Sequence, residues 1–413
     1  MSFRDVLRNA AIDLEGVLER FTARSAAKQA DKGARKGHIL IAGPGEGSIG
    51  DEAMYEAFVK TCPGPLTVIA RRPEDLLWTS DREDVEYVYL PSLLYGQGGR
   101  RAALKTVLTL AQSAESVSLV GADIMDGVYS EFASVRRFRT VAASATCGAD
   151  ARVLGFSWNN APAPRARRAM QETSAIAQLS ARDERSAERL RADGGQRVVT
   201  VSDLAFLTEP NVALEDRVLA DWVTQQRAEG RQIVLVNANP RQEKRFPGLR
   251  DAYVRLIRTL LDDGISCILV PHDSRGGERS EEAYLAGIAS EFATETALFH
   301  VENAPMPAQV VAIAREVDLV VSGRMHLVVL ASVARRATVA FDYQDKFEGL
   351  YRLLGYDGRI AGPEGADRLV ERVRVALTER ESSEDALRAS WPEVIRRSTL
   401  NLPFDPRTSS GAN

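Results

Sequence analysis

Arg324 and His326 are the residues whose types and spacing best suit chemistry. They stand between the apolar run 318–321 and a helical pattern, just after a break at Ser322-Gly323. This order predicts a strand, a turn and a helix N-terminus, whose backbone N–H groups attract anions. A guanidinium group matches phosphate or carboxylate, and an imidazole moves protons near neutral pH. We therefore expect Arg324 and His326 to be catalytic and the Ser-Gly pair to contact substrate; a core-facing turn with two solvated polar residues is the alternative.

Further cations follow other predicted strands in the second half of the chain. Candidate substrate contacts there are His272, Arg275, Tyr343 and Lys346, and a third segment carries Arg241. In an open parallel sheet the carboxyl ends of the strands meet at one edge, where ligands bind. Each residue alone is compatible with an ordinary surface charge, but their shared position favours a site for a small, highly charged anion.

A glycine-rich loop, GPGEGSIGDEAM at 43–54, follows the first predicted strand. Its spacing formally matches the dinucleotide fingerprint. However, Asp51 lies in the first helical turn, where a carboxylate repels a pyrophosphate, and the second strand ends in an Arg-Arg pair that only an NADP enzyme would tolerate. We expect instead that Gly47 and Gly50 let the backbone pass close to a ligand whose hydroxyls Asp51 or Glu52 binds. A flexible, capped loop is the alternative.

Acidic residues follow a strand in the first half. Asp123 and Asp126 are predicted on a loop at the strand's carboxyl end, where such residues hold sugar hydroxyls or simply form a solvated turn. Arg182 follows a later strand and is predicted at the same edge, with Asp183 capping the next helix. Trp158 is either a sugar platform or a core residue.

The elements that must position these residues alternate along the chain. Predicted strands are 38–42, 66–70, 86–90, 116–120, 151–155, 175–180, 197–201, 233–237, 265–270, 298–301, 318–322 and 338–341, with helical patterns between most of them. This alternation predicts two Rossmann-like domains with parallel sheets, a GT-B-like α/β architecture with the site in the interdomain cleft. The predicted parts are an N-terminal amphipathic helix and linker at 1–37, domains at 38–210 (acceptor side) and 211–380 (donor side), and a C-terminal helix with a disordered tail at 381–413.

Composition limits the classes of protein. The chain has 413 residues, 45% of them hydrophobic and 27% charged, with a net charge of -4, which argues against nucleic acid as a partner. Its three cysteines share no metal-ligand spacing, and we expect no metal site. No signal peptide or spanning run is apparent, so a cytoplasmic location is expected.

Residues 3–21 carry apolar side chains at helical spacing, and a polar linker is predicted at 26–37. We expect this helix to pack on its own chain or on a second subunit in a homo-oligomer. Peripheral contact with the inner membrane surface is the alternative.

Several segments together resemble the polysaccharide pyruvyltransferase family. They are GSIGDEAM, GADIMDG, LSARDERSAERLRADG with SDLAF, VPHD, and SGRMHLVVLASVARRATVAFDYQDKFEGLYRLLG. The last is the most specific, because strand, Arg-x-His, helix, strand and Tyr-x-x-Lys occur in the family's order. The resemblance covers residues 38–360, most of the chain.

The resemblance implies a GT-B-like transferase of cell-surface polysaccharide biosynthesis. It would move a pyruvyl group from phosphoenolpyruvate onto a glycan or lipid-linked sugar as a ketal, with no cofactor. Arg324 and His326 would bind this donor, His326 would be the acid/base group, and Lys346 and Arg275 would contact phosphate or carboxylate. The donor carries both anionic groups, so a site with several fixed cations suits it.

Two departures from the family pattern stand out. Gly121-Ala122-Asp123 replaces a glycine-rich triplet, which leaves the acceptor open, and the N-terminal helix is an addition. A GT-B glycosyltransferase that uses a nucleotide sugar is one alternative, with Glu348 as the candidate ribose ligand. A non-catalytic glycan-binding relative is the other, but it would have no need of a proton-transfer group.

Overall fold

The computed structural model describes residues 3–29, 35–43, 45–96, 98–243, 246–277, 280–341, 346–360 and 368–406, with the backbone alone at 3–11, 29 and 346. Contacts divide the chain into two compact units. The first comprises Met1–Pro44, Phe58–Leu204 and Arg397–Asn413, and the second comprises Gly45–Ala57 and Ala205–Arg396.

Each unit is built on one parallel sheet. The strands are β1 (His38–Ile41), β2 (Leu66–Ala70), β3 (Val85–Tyr89), β4 (Ser116–Ala122), β5 (Asp150–Phe156), β6 (Gln178–Ala181), β7 (Val198–Thr200), β8 (Ile233–Asn237), β9 (Ser266–Leu269), β10 (Leu298–His300), β11 (Leu319–Ser322), β12 (Thr338–Phe341) and β13 (Arg359–Ile360). The first sheet has the order β3-β2-β1-β4-β5-β6-β7 and the second β10-β9-β8-β11-β12-β13. In each sheet the chain first adds strands toward one edge and then crosses over to add strands toward the other edge. The crossover lies between β1 and β4 in the first sheet and between β8 and β11 in the second, which is the doubly wound Rossmann arrangement.

Helices connect the strands. They are α1 (Phe3–Gln29), α2 (Ile49–Thr61), α3 (Arg100–Ala111), α4 (Glu131–Thr146), α5 (Pro164–Ser174), α6 (Glu184–Ala192), α7 (Arg217–Ala228), α8 (Leu249–Asp262), α9 (Glu281–Ala289), α10 (Pro307–Glu316), α11 (Met325–Val333), α12 (Lys346–Leu354), α13 (Leu369–Thr378) and α14 (Arg380–Thr399). Every residue of the central strands β4 and β8 is buried. Such burial is expected for strands of a parallel sheet, because helices cover both faces of the sheet. The predicted fold of two Rossmann-like domains is thus confirmed.

The N-terminal helix packs on the first unit. Glu19 on α1 accepts a 2.7 Å hydrogen bond from Nε of Arg100, and both side chains are buried. Gln112 donates to the carbonyl oxygen of Ala26 at 2.7 Å. The linker predicted at 26–37 begins too early, because α1 continues to Gln29.

The predicted domain boundaries differ from the two units at both ends. Residues 45–57 group with the second unit, where Ser48 forms an antiparallel bridge with Asp273. Past α14 the chain returns to the first unit, since Asn401 accepts a 2.7 Å bond from the backbone N–H of Gly155. Each unit therefore contains segments that are far apart in sequence, so a prediction that divides the chain into contiguous domains assigns these segments to the wrong unit. The tail predicted to be disordered lies outside the described residues from 407 onward.

Candidate functional site

The candidate site lies where the strand order of the second sheet reverses. Strands β8 and β11 are neighbours there, and Ser322 pairs with Asn237 at their carboxyl ends. The next residue, Gly323, has no space for a side chain, because a Cβ would lie 2.7 Å from the Cβ of Asn239. Its carbonyl oxygen accepts bonds from the side-chain amides of Asn239 at 3.2 Å and Gln242 at 3.0 Å. The predicted tight turn is therefore clamped against the segment that follows β8.

Ser322 closes the turn instead of being solvated. Its buried hydroxyl group donates to the carbonyl oxygen of Arg324 at 2.9 Å and accepts from the N–H of Arg324 at 2.8 Å. Arg324 is the N-cap residue of α11 and has extended backbone angles. The turn thus fixes the backbone from which the Arg324 side chain departs.

The Arg324 side chain is held by two carboxylates. Its Nη2 donates to Oδ2 of Asp273 at 2.8 Å, and its Nε donates to Oε1 of Glu281. The guanidinium group is largely buried, with 16% of the side chain exposed. Two fixed acceptors on adjacent nitrogens leave little rotational freedom, so this cation is preorganised.

Asp273 gathers further arginines. Nε of Arg275 donates to Oδ1 of Asp273 at 2.7 Å, and Nη2 of Arg241 lies 3.8 Å from Oδ2. Burial raises the pKa of this carboxyl, but hydrogen bonds from Arg275 and the charge of Arg324 outweigh burial and leave the pKa below its usual range. Burial, together with the charges of Arg275 and Arg324, lowers the pKa of Arg241. The three guanidinium groups share Asp273, and Arg324 also pairs with Glu281, so three cations face two carboxylates.

Glu281 is the deepest member of the cluster. Its side chain is fully buried, and Oε2 accepts bonds from Nδ2 of Asn237 at 3.0 Å and from the backbone N–H of His272 at 2.8 Å. With Arg324 on Oε1, this carboxylate links β8, the segment after β9 and the start of α11. Glu281 therefore positions Arg324 and His272 together.

His272 is buried and neutral near pH 7. Burial lowers the pKa of its imidazole well below the ordinary value, and the charges of His326 and Arg324 lower the pKa further. Among the described residues, neither ring nitrogen of His272 has a hydrogen-bond partner. Buried polar atoms are normally paired, so this imidazole is available to hydrogen-bond a ligand.

His326 lies on the first turn of α11 and faces the start of α2. A Cβ placed on Gly50 would lie 2.1 Å from Nδ1 and 2.4 Å from Cγ of His326. The absence of a side chain at Gly50 is therefore what lets the imidazole lie against this helix. The glycine-rich loop was predicted to pass close to a ligand, and in the structure it passes close to the candidate acid/base group.

The same loop meets the segment that follows β9. Gly47 has a φ of +98°, and a Cβ there would lie 2.2 Å from Oγ of Ser274. Its carbonyl oxygen accepts from the N–H of Ser274 at 2.9 Å. Asp51 lies one helical residue beyond Gly50. The hydrogen bond to Asp273 raises the pKa of Arg275 most, and the charge of Asp51 raises that pKa further. Gly47, Gly50, Asp51, His272 and Arg275 thus belong to one cluster with Arg324 and His326.

The candidates of the first unit form a cluster of their own. Arg182 donates to Asp123 and, through Nε, to Oγ of Ser157 at 2.6 Å, and its Nη1 lies 3.6 Å from Oδ2 of Asp203. Asp126 accepts from Nδ2 of Asn159 at 2.5 Å. Because the buried side chain of Arg182 contacts Asp123, Ser157 and Asp203, it links the segments that follow three strands of the first sheet.

The structure tests two further predictions for residues of the first unit. Trp158 is not a sugar platform: it is fully buried, packs edge-on against Phe138 and Phe156, and donates to Asp193 at 2.8 Å. Asp183 is the N-cap residue of α6, as predicted, and accepts from the N–H of Ser186 at 2.7 Å.

The side chains of two predicted site residues are not described by the structure, and two members of the cluster around Arg324 were not predicted from the sequence. Tyr343 and the side chain of Lys346 lie outside the described residues. Asp273 and Glu281 were not predicted as site residues, although Asp273 stands beside two candidates after β9. Glu281 has no local signal, since it reads as an ordinary acidic residue in a helix's first turn. Within the described residues, no group of three or more His, Cys, Asp or Glu is arranged to hold a metal ion.

Comparison with protein families gives one match. The family model described as "Polysaccharide pyruvyl transferase" matches residues 49–345, most of the chain. This range includes the glycine-rich start of α2, the cluster around Asp273 and the Arg324–His326 turn. A comparison with curated proteins found no significant match.

Solved structures share the fold at low sequence identity. A glycosyltransferase from Rickettsia africae ESF-5 has a TM-score of 0.56 and 12% identity, with 89% of this chain and 95% of that chain covered. UDP-GlcNAc 2-epimerase from Methanocaldococcus jannaschii has a TM-score of 0.55 and 12% identity, over 83% and 92%. UDP-GlcNAc 2-epimerase from Neisseria meningitidis, bound to UDP-GlcNAc, has a TM-score of 0.54 and 12% identity, over 89% and 100%. These likenesses show the GT-B-like fold; the location of a site in a cleft between the domains stays a prediction.

Proposed function

Because the chain belongs to the polysaccharide pyruvyl transferase family and is therefore a transferase, we propose that it moves a pyruvyl group from phosphoenolpyruvate onto a sugar of a glycan or glycan precursor. The observation that carries this proposal is the convergence of Arg241, Arg275 and Arg324 on one carboxylate beside two imidazoles. Phosphoenolpyruvate brings a phosphate and a carboxylate, and guanidinium groups recognise both through paired hydrogen bonds.

Asp273 has a specific part in donor binding. In the structure it neutralises one of the converging charges and fixes Arg275 and Arg324 in place. A donor anion arriving beside it meets cations that are already oriented and partly desolvated, so little reorganisation is needed. Arg324 and Arg275 would contact the phosphate or carboxylate, and Lys346 would add a further cation.

The reaction needs one proton delivered to carbon and two hydroxyl protons removed, one of which the departing phosphate can carry away. Protonation of the methylene carbon by His326 creates an oxocarbenium-like carbon, and a sugar hydroxyl attacks this carbon as it loses its own proton. The bond to the phosphate oxygen then breaks, phosphate leaves, and a second hydroxyl closes the ketal while its proton is taken up. An acid/base group of this kind contributes about 10²–10⁴-fold to the rate. This chemistry requires charge and protons, and we propose that it proceeds without a cofactor.

His272 complements His326 because its imidazole stays neutral. Burial and, to a smaller extent, the neighbouring positive charges lower its pKa, so it can hydrogen-bond a ligand without adding charge. A neutral imidazole beside a proton-transfer group can serve as a fixed hydrogen-bond partner. We propose that His272 orients the donor.

The acceptor side is proposed in the first unit. Asp123 and Asp126 lie on the loop after β4, where carboxylates suit sugar hydroxyls, and Asp123 is held by Arg182. The acceptor would be a glycan or a lipid-linked sugar of cell-surface polysaccharide biosynthesis, met at the cytoplasmic side of a membrane. Among the described residues, no helix is both long and apolar enough to cross one.

A second candidate is a glycosyltransferase that uses a nucleotide sugar. It is favoured by the shared fold with an epimerase bound to UDP-GlcNAc.

Thermal unfolding of the purified chain with phosphoenolpyruvate, inorganic phosphate or UDP-GlcNAc distinguishes the pyruvyltransferase from the glycosyltransferase. Ligands stabilise a protein by RT ln(1 + [L]/Kd), so our proposal predicts a rise in Tm with phosphoenolpyruvate that exceeds the rise with phosphate. A rise in Tm with UDP-GlcNAc alone would support the second candidate. An unchanged Tm with all three ligands would favour a non-catalytic glycan-binding protein.

A further inference from the structure

The N-terminal helix presents an exposed apolar stripe. Leu14, Val17, Leu18 and Phe21 are 63%, 40%, 45% and 66% exposed. Their spacing places them on one face of α1. Large apolar side chains grouped in this way mark a surface that another molecule covers.

The opposite face of α1 is already occupied by its own chain. Ile12 and Ala23 are buried, and Glu19 pairs with Arg100. Glu15 pairs with Arg136 on α4, with 2.5 Å between Oε1 and Nη2. The packing therefore turns two of the helix's acidic side chains inward, away from the stripe.

Among the described side chains, those left beside the stripe are mostly basic. Arg24 and Lys28 are exposed on the C-terminal turns of α1, and Arg20 lies 3.8 Å from Glu172 of α5. Asp13 lies 3.6 Å from Nη2 of Arg165 at the start of α5. A chain with a net charge of -4 thus carries a local excess of cations beside an apolar stripe.

The neighbouring helix adds to this excess. Arg165 and Glu172 both reach α1, and Arg168 lies between them at helical spacing, so all three occupy the face of α5 toward α1. Arg168 is exposed. Before α4, the helix on which α1 packs, Tyr129 is 70% exposed, and aromatic rings with one polar end suit a lipid–water interface.

We propose that this face, formed by the stripe on α1 and the cations of α1 and α5, binds an anionic lipid surface, with α1 lying parallel to the membrane. Apolar burial combined with attraction to acidic head groups is the physics of interfacial helices. A second copy of the chain fits the face less well, because pairing two such faces brings together two surfaces that each carry an excess of cations. The proposal concerns α1 and α5 only and is independent of the reaction.

The test uses the full chain and sedimentation with vesicles. One set contains phosphatidylcholine alone, and the other contains phosphatidylcholine with phosphatidylglycerol. We expect cosedimentation with the second set that weakens as salt is added. Each membrane-facing cation contributes about fivefold to partitioning, so Arg24→Gln/Lys28→Gln lowers binding about 25-fold. Leu18→Ser/Phe21→Ser removes the inserted side chains and abolishes binding.

Matched controls come from the second unit. Val218 and Val375 are 70% and 39% exposed, and Val218→Ser/Val375→Ser keeps full binding. Arg217→Gln/Arg374→Gln removes exposed cations elsewhere and also keeps it. Failure of the unaltered chain to bind phosphatidylglycerol vesicles overturns the proposal. So does a dimer, seen by analytical ultracentrifugation, that Leu18→Ser/Phe21→Ser dissociates while vesicle binding is absent throughout.

Discussion

Substitution of Gly50 by alanine tests the juxtaposition of α2 with the imidazole of His326. The added Cβ would lie 2.1 Å from Nδ1, 2.4 Å from Cγ and 2.8 Å from Cβ of His326. Carbon atoms in good contact are about 3.5–4.0 Å apart, so the ring or the helix must retreat by more than about 1 Å. The contact includes the Cβ of the histidine, which rotation about its side-chain bonds moves little.

Two opposing effects set the magnitude. Gly50 is in the first turn of a helix, where alanine is favoured over glycine by at most the interior value of about 1 kcal/mol. Overpacking typically costs about 1–3 kcal/mol. We therefore expect Gly50→Ala to lower the free energy of unfolding by up to about 2 kcal/mol. Gly287→Ala, in α9 with no atom within 4 Å of its Cβ, has only the helical gain and is the matched control.

A double-mutant cycle isolates the contact from the helical effect. In a His326→Gly background the obstructing side chain is gone, so Gly50→Ala becomes stabilising by about 1 kcal/mol. Urea unfolding of the four proteins measures the coupling, which we expect to be about 1–3 kcal/mol. Additivity within about 0.5 kcal/mol would refute the placement of the imidazole against α2.

Three further predictions concern buried groups. Glu281→Gln weakens the hold on Arg324, so the affinity for phosphoenolpyruvate falls about tenfold in calorimetry, whereas the exposed control Glu295→Gln leaves it unchanged. His272 has a lowered folded-state pKa, so its contribution to stability is full above pH ~6.5 and is lost as pH falls toward that folded value. The free energy of unfolding then falls by up to about 1.4 kcal/mol per pH unit, and His272→Phe reduces this slope; an unchanged slope contradicts the assignment. Arg100→Leu strands the buried carboxylate of Glu19 and destabilises the first unit by about 3–5 kcal/mol in urea unfolding, and a loss under 1 kcal/mol would be inconsistent with the buried pair.

The sheets were predictable because their strands are short apolar runs separated by polar turns. Runs such as 233–237 and 338–341 coincide with β8 and β12. The two-residue strand β13 carries too little pattern to be found. The inward face of α5, PRARRAMQETS, consists mostly of small residues such as Ala166 and Ala169, so its apolar signal is weak. The segment at 175–180 was placed too early, because Ile176 and Ala177 close the end of α5 by bonding back to Thr173.

The site was predictable only as far as local pattern reaches. Arg324 and His326 follow a strand and open a helix, which a sequence displays directly. Their partners Glu281 and Asp273 were not predicted as site residues, because carboxylates at such positions are usually solvated, and only tertiary packing buries them. The approach of Gly50 to His326 joins segments far apart in the chain, which no local spacing reveals.

Calorimetric titration of the purified chain with phosphoenolpyruvate tests the central claim most directly. We predict saturable binding that Arg324→Ala weakens by about 10–150-fold, the loss expected for charged hydrogen bonds. Arg324→Lys keeps a charge beside Glu281 but loses the planar fork, so it should fold and still bind weakly. Arg217→Ala, an exposed arginine in the same unit, should bind as the unaltered chain does. Binding that survives Arg324→Ala unchanged, or saturable binding of UDP-GlcNAc in place of phosphoenolpyruvate, would contradict the account.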